Sequence, residues 1–153
     1  MNSLYKFIVT PLNKRYNNEI NVGNKKLIIN SSVEEFTFIS REAKVIAIPS
    51  EYKTEIKIGD TIIIHHNVFR RWYDQKGIER NSSSYFKDDL YFVQPDQIFM
   101  YKHNNQWEPF GDYCFDKPIK NDYPRINIID KKLVGILKYG NKELDELFIV
   151  KGD

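Results

Sequence analysis

The sequence predicts an all-β protein whose strands form a small barrel or sandwich. Its 153 residues contain 14% aromatic residues, mostly Tyr and Phe, together with many Ile and Val, and these residue types fit a pleated, half-buried surface. Short apolar runs alternate with turn signals up to residue 102, as is typical of such folds. We therefore expect one β-domain over residues 1–102 and a C-terminal strap and extension over residues 103–153.

The first strands are predicted from β-branched runs. Residues 5–12 are mainly apolar and end near Pro11, because proline cannot donate to a ladder. Residues 35–48 indicate a longer extended stretch with a charged middle, which suggests a bend or bulge. Residues 56–65 return through a tight Gly-Asp turn, so these last two strands should be antiparallel neighbours.

A polar segment separates the first two predicted strands. Residues 13–24 are rich in Asn and have neither helical nor strand periodicity, which predicts a mobile loop that extends over about residues 13–35. Within it, Leu27, Ile28 and Ile29 follow two lysines and precede a polar Asn-Ser-Ser sequence. The residues alone leave two interpretations open, a short buried strand or an apolar binding tripeptide carried on the loop.

Residues 67–84 interleave basic and aromatic side chains and predict a loop or hairpin with its turn at Lys76-Gly77. Such a surface can stack bases and contact phosphates. Its candidate binding residues are Arg70, Arg71, Trp72, Tyr73 and Arg80. The simpler interpretation is a hairpin whose long side chains cover the β-domain, since a net charge of only +2 provides no global field to attract nucleic acid.

The remaining elements are predicted in chain order. Strands are expected at residues 90–93, 97–102, near 113–115 and at 133–139, and a short helix at residues 141–148. Residues 149–153 echo the Ile-Lys-Ile-Gly-Asp pattern of residues 56–60 and then stop. From this echo we expect that the chain lacks a C-terminal segment.

No motif for catalysis or metal binding is found in the sequence, which has no Gly-rich phosphate loop, nucleophile elbow or His-Glu-x-x-His. His65 and His66 would point to opposite faces of a continuing strand, and His103 stands alone, so zinc spacings are absent. The acidic pairs are typical of solvated faces. We expect no enzyme activity, no catalytic residue, no metal and no cofactor.

The cellular location is suggested by cysteine usage and hydropathy. Cys114 is the single cysteine, which rules out an internal disulfide and favours a reducing compartment such as the cytoplasm. No signal-like N-terminus is present, and no apolar run approaches the length of a membrane helix. We expect a cytoplasmic protein without a membrane partner.

Taken together, residues 5–102 resemble the GroES-like co-chaperonins, and most closely the divergent members that tailed bacteriophages encode. Residues 5–12 are similar to the family's opening strand, residues 13–35 to its mobile loop, residues 43–49 to a core strand and residues 96–101 to its closing strand. The sequence Lys-Ile-Gly-Asp at residues 57–60, followed by an Ile run, is the most specific motif.

The resemblance implies a GroES-like β-barrel and a ring, usually a heptamer, that caps a GroEL-like chaperonin of the bacterial host. The family's loop binds the chaperonin through a hydrophobic tripeptide, which by position falls on Leu27, Ile28 and Ile29. ATP would be bound by the partner, and the enclosed client is an unfolded protein such as a phage capsid protein. The chain departs from the family in a short connection at residues 50–55, a long segment at residues 67–84 and the tail after residue 102.

Two alternative functions remain open from the sequence. A β-barrel module could bind nucleic acid through the basic and aromatic segment, or the chain could decorate a phage particle. Phosphate binding weakens steeply with salt, whereas an apolar contact does not, so ionic strength separates nucleic-acid binding from docking through the apolar tripeptide. A decoration protein would be found in purified phage particles.

Overall fold

A computed structural model describes residues 3–29, 31–32, 34–118 and 135–147 of the chain. The chain divides into two compact units, Met1–Trp107 and Glu108–Asp153. This division lies a few residues beyond the predicted boundary at residue 102. Strands dominate the described residues, so the prediction of a mostly β protein is confirmed.

The strands of the first unit are short. In chain order they are β1 Phe7–Pro11, β2 Glu19–Val22, β3 Lys25–Ile28, β4 Glu42–Ala47, β5 Thr61–Ile64, β6 Arg71–Tyr73, β7 Glu79–Asn81, β8 Tyr85–Lys87, β9 Leu90–Val93, β10 Ile98–His103 and β11 Gln106–Pro109. Short 3₁₀ turns occupy Phe36–Phe38, His66–Val68 and Pro95–Gln97. β1 ends at Pro11, as predicted.

The second unit contains β12 Phe115–Pro118, β13 Gly135–Tyr139 and helix α1 Lys142–Glu146. β12 and β13 pair antiparallel, with Lys117 opposite Ile136. The side chain of Asn141 caps α1 by accepting a hydrogen bond of 2.9 Å from the Leu144 N–H. The strand predicted at residues 133–139 and the helix predicted at residues 141–148 are therefore found here, whereas the strand predicted near residues 113–115 begins only at Phe115. Residues 133, 134 and 148 of those predictions, and the echo at 149–153, lie outside the described residues.

Seven strands form one sheet in the order β11-β10-β5-β4-β1-β9-β8. β4 is the central strand of this sheet. Its neighbour β1 places Val9 opposite Val45 of β4 on one side and opposite Tyr91 of β9 on the other. β4 and β5 are antiparallel neighbours, as predicted, with Ala43 opposite Ile62. Within the described strands no pairing joins β8 to β11, so hydrogen bonding does not close the sheet into a barrel.

The core lies on the face of this sheet that carries alternate β-branched and aromatic side chains. In β4, Ala43, Val45 and Ala47 are buried while the residues between them are exposed, which is the period of two expected for a half-buried strand. Phe69 packs edge-on against Tyr91 with ring centroids 4.9 Å apart. This packing gives the arm and the hairpin described below a rigid support.

The Lys-Ile-Gly-Asp sequence forms the turn that precedes β5. Gly59 has φ +94°, a conformation that L side chains rarely adopt. The buried carboxylate of Asp60 accepts a hydrogen bond of 2.8 Å from the Lys57 N–H, and its other oxygen lies 2.8 Å from His103 Nδ1 on β10. The motif thus has a local structural role in which its glycine and its aspartate are both required.

Two predictions about strand positions are wrong. Residues 13–24, predicted to have no strand, contain β2. Leu27 and Ile28 belong to β3, so one of the two interpretations left open, a strand, is found there, but this strand is exposed and not buried. The extended stretch predicted from residue 35 begins instead with the 3₁₀ turn, because the Glu35 side chain accepts the Thr37 N–H at 3.4 Å, and β4 starts only at Glu42.

Candidate functional site

The strands β2 and β3 lie on an arm that leaves the sheet through a narrow stalk. We define the arm by its described residues, 18–29, 31–32 and 34–37. Backbone hydrogen bonds close the stalk, from the Asn17 N–H to the Phe38 carbonyl at 2.8 Å and from the Ser40 N–H to the Arg15 carbonyl at 3.0 Å. Tyr16 bridges to Ile39 between them, and both side chains are buried. The arm therefore has a firm base.

A two-residue turn, Gly23-Asn24, joins β2 to β3. Gly23 has φ +60°, as the first position of a type II′ hairpin turn requires. The ladder continues past β3, since the Ile29 N–H donates to the Asn18 carbonyl at 2.8 Å. All residues of both strands are exposed. The arm thus contains a hairpin, neither strand of which packs into the core.

One face of this hairpin is apolar. Ile20 lies directly opposite Leu27, and directly opposite residues share a face, as do residues two apart along a strand. Four apolar side chains lie on this face, Ile20, Val22, Leu27 and Ile29, which are exposed by 45%, 58%, 52% and 46%, and we call them the apolar face. Lys25, opposite Val22, lies on the same side of the hairpin at its turn. Ile28, exposed by 62%, lies on the opposite face beside Glu19.

The predicted tripeptide is therefore divided between two faces of the hairpin. Leu27 and Ile29 share a face with Ile20 and Val22, which sequence reasoning missed. A signal for the missed residues was present, because Ile and Val alternate with polar residues before a Gly-Asn turn, and this pattern indicates a hairpin. The functional unit is the apolar face and not the linear tripeptide.

Charged side chains lie at both ends of the apolar face. At the base of β2 the Lys14 ammonium forms an exposed ion pair of 2.7 Å with Glu19. The hydrogen bond from Lys14 and its charge lower the pKa of the Glu19 carboxyl. At the other end, Lys25 and Lys26 are exposed next to the turn. A partner surface for the arm should therefore be apolar, with acidic groups near the turn.

The basic and aromatic segment forms the predicted hairpin, with β6 and β7 joined by a turn that contains Lys76-Gly77. Trp72 pairs with Arg80 and Tyr73 with Glu79. The Asp74 carboxylate accepts the N–H groups of Lys76 and Ile78 at 2.9 Å each. These hydrogen bonds lower the pKa of the Asp74 carboxyl, and the bond from Ile78 makes the largest contribution.

Each arginine predicted as a phosphate ligand has a carboxylate partner. Arg70 lies 3.4 Å from Glu34, Arg71 lies 3.1 Å from Glu79 and Arg80 lies 3.0 Å from Asp74. Trp72 and Tyr73 are exposed by 41% and 50%. A phosphate would have to compete with these carboxylates for the guanidinium groups, so the arrangement favours contact with a surface that is not strongly charged.

The histidines do not come together at a metal site. Strand β5 ends before His65, so the rings of His65 and His66 stack with centroids 4.3 Å apart instead of facing opposite ways. Burial, His65 and the cations Arg41 and Arg70 lower the pKa of His66. His103 is engaged with Asp60.

Two further properties concern metals and membranes. Across the described residues no group of three or more His, Cys, Asp or Glu side chains is placed to hold a metal ion. In the same part of the chain, no helix is sufficiently long and apolar to cross a membrane.

The strongest candidate site is thus the apolar face of the arm. Comparison of the chain with protein-family models, with curated proteins and with solved structures gives no match.

Proposed function

We propose that the chain is a co-chaperonin that docks on a bacterial chaperonin ring through the apolar face of its arm. The observation that carries this proposal is the exposed hairpin face of Ile20, Val22, Leu27 and Ile29 on a firmly closed stalk. Leu27, Ile28 and Ile29 are the residues to which the resemblance assigns chaperonin binding. The finer fold proposed is GroES-like, with the seven-stranded sheet as the body of the cap.

The energetics of one arm favour a ring of arms. Complete burial contributes about 1.5–3 kcal/mol for an Ile, Val or Leu side chain, so four half-exposed side chains can add about 4 kcal/mol. That free energy corresponds to a Kd of about 1 mM, before the loss of translational freedom weakens it further. Several arms presented by one homo-oligomer, proposed as a heptamer, multiply such weak contacts through effective concentration.

The remaining parts of the proposal follow from this role. The chain has no catalytic function of its own, and ATP is bound by the partner chaperonin. The client is an unfolded protein, with a phage capsid protein as the proposed example, and the site of action is the cytoplasm of the bacterial host. The support for these parts is the resemblance of residues 5–102 described above.

The test is nucleotide-dependent co-sedimentation with the chaperonin of the host. We expect the wild type to bind in the presence of ATP, and Leu27→Asp to weaken binding by about tenfold or more, because it places a charge in an apolar contact. Asn21→Asp is the matched control, since it adds the same charge to the polar face of the same hairpin. Ile28→Asp reports whether the second face also contacts the partner.

Two results would contradict the proposal. One is a folded, ring-forming wild type that fails to bind the chaperonin with any nucleotide. The other is equal weakening by Leu27→Asp and Asn21→Asp, which would exclude the apolar face as the contact. Binding to single-stranded nucleic acid that falls steeply with salt would instead support the β6–β7 hairpin as the functional surface.

A further inference from the structure

We propose that Arg15 is a positioning residue, which fixes the orientation of the arm by fastening its stalk to the β6–β7 hairpin. Its guanidinium donates to three acceptors of that hairpin and its base. Nε donates to the Phe69 carbonyl at 2.5 Å, one terminal nitrogen to the Arg70 carbonyl at 3.1 Å and the other to Asn81 Oδ1 at 2.7 Å. The three acceptors lie 54 to 66 residues away in the chain.

The neighbouring stalk residue makes a second connection to the same hairpin. The buried Tyr16 hydroxyl accepts a hydrogen bond of 2.8 Å from the Arg71 N–H. The Arg71 guanidinium lies 4.5 Å from the centre of the Tyr16 ring and is held there by Glu79. This contact adds a cation–π attraction to the hydrogen bond. Arg15 and Tyr16 together join the N-terminal side of the stalk to β6 and β7.

Glu34 fastens the C-terminal side of the arm to the same place. One of its carboxylate oxygens accepts the Tyr73 N–H at 3.4 Å, and the other lies 3.4 Å from the Arg70 guanidinium. Both ends of the arm therefore meet the β6–β7 hairpin. This arrangement gives the basic segment a role other than phosphate binding, namely to hold the arm.

The orientation of the arm depends on these contacts because its strands have no other partner strands. Within the described residues, β2 and β3 pair only with each other. An isolated two-stranded hairpin is marginally stable and free to swing about its attachment. Arg15 suits the role of anchor because its planar fork reaches several acceptors at once, which a lysine cannot do.

The proposal is tested by measuring the orientation of the arm directly. Two spin labels are placed at exposed positions, Asn24 at the arm turn and Lys44 on β4, in a background in which Cys114→Ser removes the native thiol. The distribution of distances between the labels is then measured by double electron–electron resonance. We expect one narrow distribution for the wild-type arm and a distribution at least twice as broad for Arg15→Met.

The control variants are chosen for chemistry and place. Arg80→Met makes the same change in the same hairpin, but Arg80 pairs with Asp74 and not with the arm, so its distribution should match the wild type. Arg15→Lys keeps the positive charge but lacks the planar guanidinium group, so its distance distribution should be as broad as that of Arg15→Met. Should Arg15→Met fail to fold, Asn81→Leu and Glu34→Leu each remove one exposed acceptor side chain. Broadening in either would then support the proposal, and two unchanged distributions would overturn it.

The consequence for docking rests on the proposed function and is measured separately. We expect Arg15→Met to weaken nucleotide-dependent co-sedimentation about tenfold, since a swinging arm must lose orientational freedom when it binds. An unchanged distance distribution in Arg15→Met overturns the positioning role, whatever the binding result. If Arg15→Met broadens the distance distribution but the wild type binds no chaperonin, the positioning role stands. That combination contradicts the proposed function alone.

Discussion

Replacing Asp60 tests the structural role of the Lys-Ile-Gly-Asp turn. The Asp60 carboxylate is 8% exposed and has two polar partners, the Lys57 N–H and the His103 ring, each at 2.8 Å. Asp60→Ala removes both contacts and leaves the part-buried Lys57 N–H without an acceptor. The variant therefore removes the hydrogen bond that closes the turn and the contact that joins the turn to β10.

The expected loss follows from these two contacts. A hydrogen bond to a charged group contributes about 1.5–3 kcal/mol, and an orphaned buried donor costs a similar amount. His103 is 32% exposed, so water replaces part of its contact, and the lower end of the range applies there. We expect Asp60→Ala to lower the free energy of unfolding by about 3 kcal/mol, and Asp60→Asn by about 1 kcal/mol, because an amide still accepts the Lys57 N–H.

The assay is urea unfolding followed by near-ultraviolet circular dichroism. With a slope of about 2 kcal/mol per molar urea, a loss of 3 kcal/mol shifts the midpoint by about 1.5 M. Glu51→Ala is the control, because it removes an exposed carboxylate from the connection between β4 and β5, which also contains Asp60. It should change the free energy of unfolding by less than about 0.5 kcal/mol. The reasoning is refuted if Asp60→Ala unfolds at the same urea concentration as Glu51→Ala.

Two further predictions concern His66 and Gly59. The lowered pKa of His66 means that the folded state binds a proton less readily than the unfolded state, so stability is full above the unfolded imidazole's pKa and falls as the pH drops below about 6.5. The melting temperature should therefore decrease when it is measured from pH 7.5 to pH 5.5. His66→Gln should flatten this pH dependence. An identical slope in the wild type and the variant would exclude His66 as the source of the pH dependence. Gly59→Ala places a side chain at φ +94° and should cost about 1 kcal/mol or more in urea unfolding, whereas a stability equal to wild type would mean that the turn changes conformation freely.

The elements that sequence reasoning predicted correctly are those with a local cause. Pro11 ends β1 because it has no N–H, and the Gly59-Asp60 turn leads into β5, the antiparallel neighbour of β4. The β6–β7 hairpin follows from its turn residues. Pairing between distant strands has no such local cause, and β9 accordingly pairs with β1 and β8 instead of with β10, the next strand in the chain.

The arm was missed as a hairpin for a physical reason. Strands are usually recognised because one face is buried, but β2 and β3 are exposed on both faces. The alternation of Ile20 and Val22 with polar residues is only one period long, and it indicates the hairpin only together with the Gly-Asn turn. The ion pair of Arg70 with Glu34 was missed because these residues are 36 positions apart in the chain.

The exposed face and its anchor explain each other. A surface of four half-exposed apolar side chains is too small to bind tightly, so most of its gain in free energy would be lost if the arm had to become ordered on binding. An arm that is already folded and is held at both ends by Arg15 and Glu34 avoids much of that loss without adding apolar area. In the proposed docking, polar contacts with the β6–β7 hairpin raise affinity from a distance, while the apolar face remains small enough to release its partner. The two surfaces proposed from the sequence would then act together, with β2 and β3 making the contact and β6 and β7 setting its geometry.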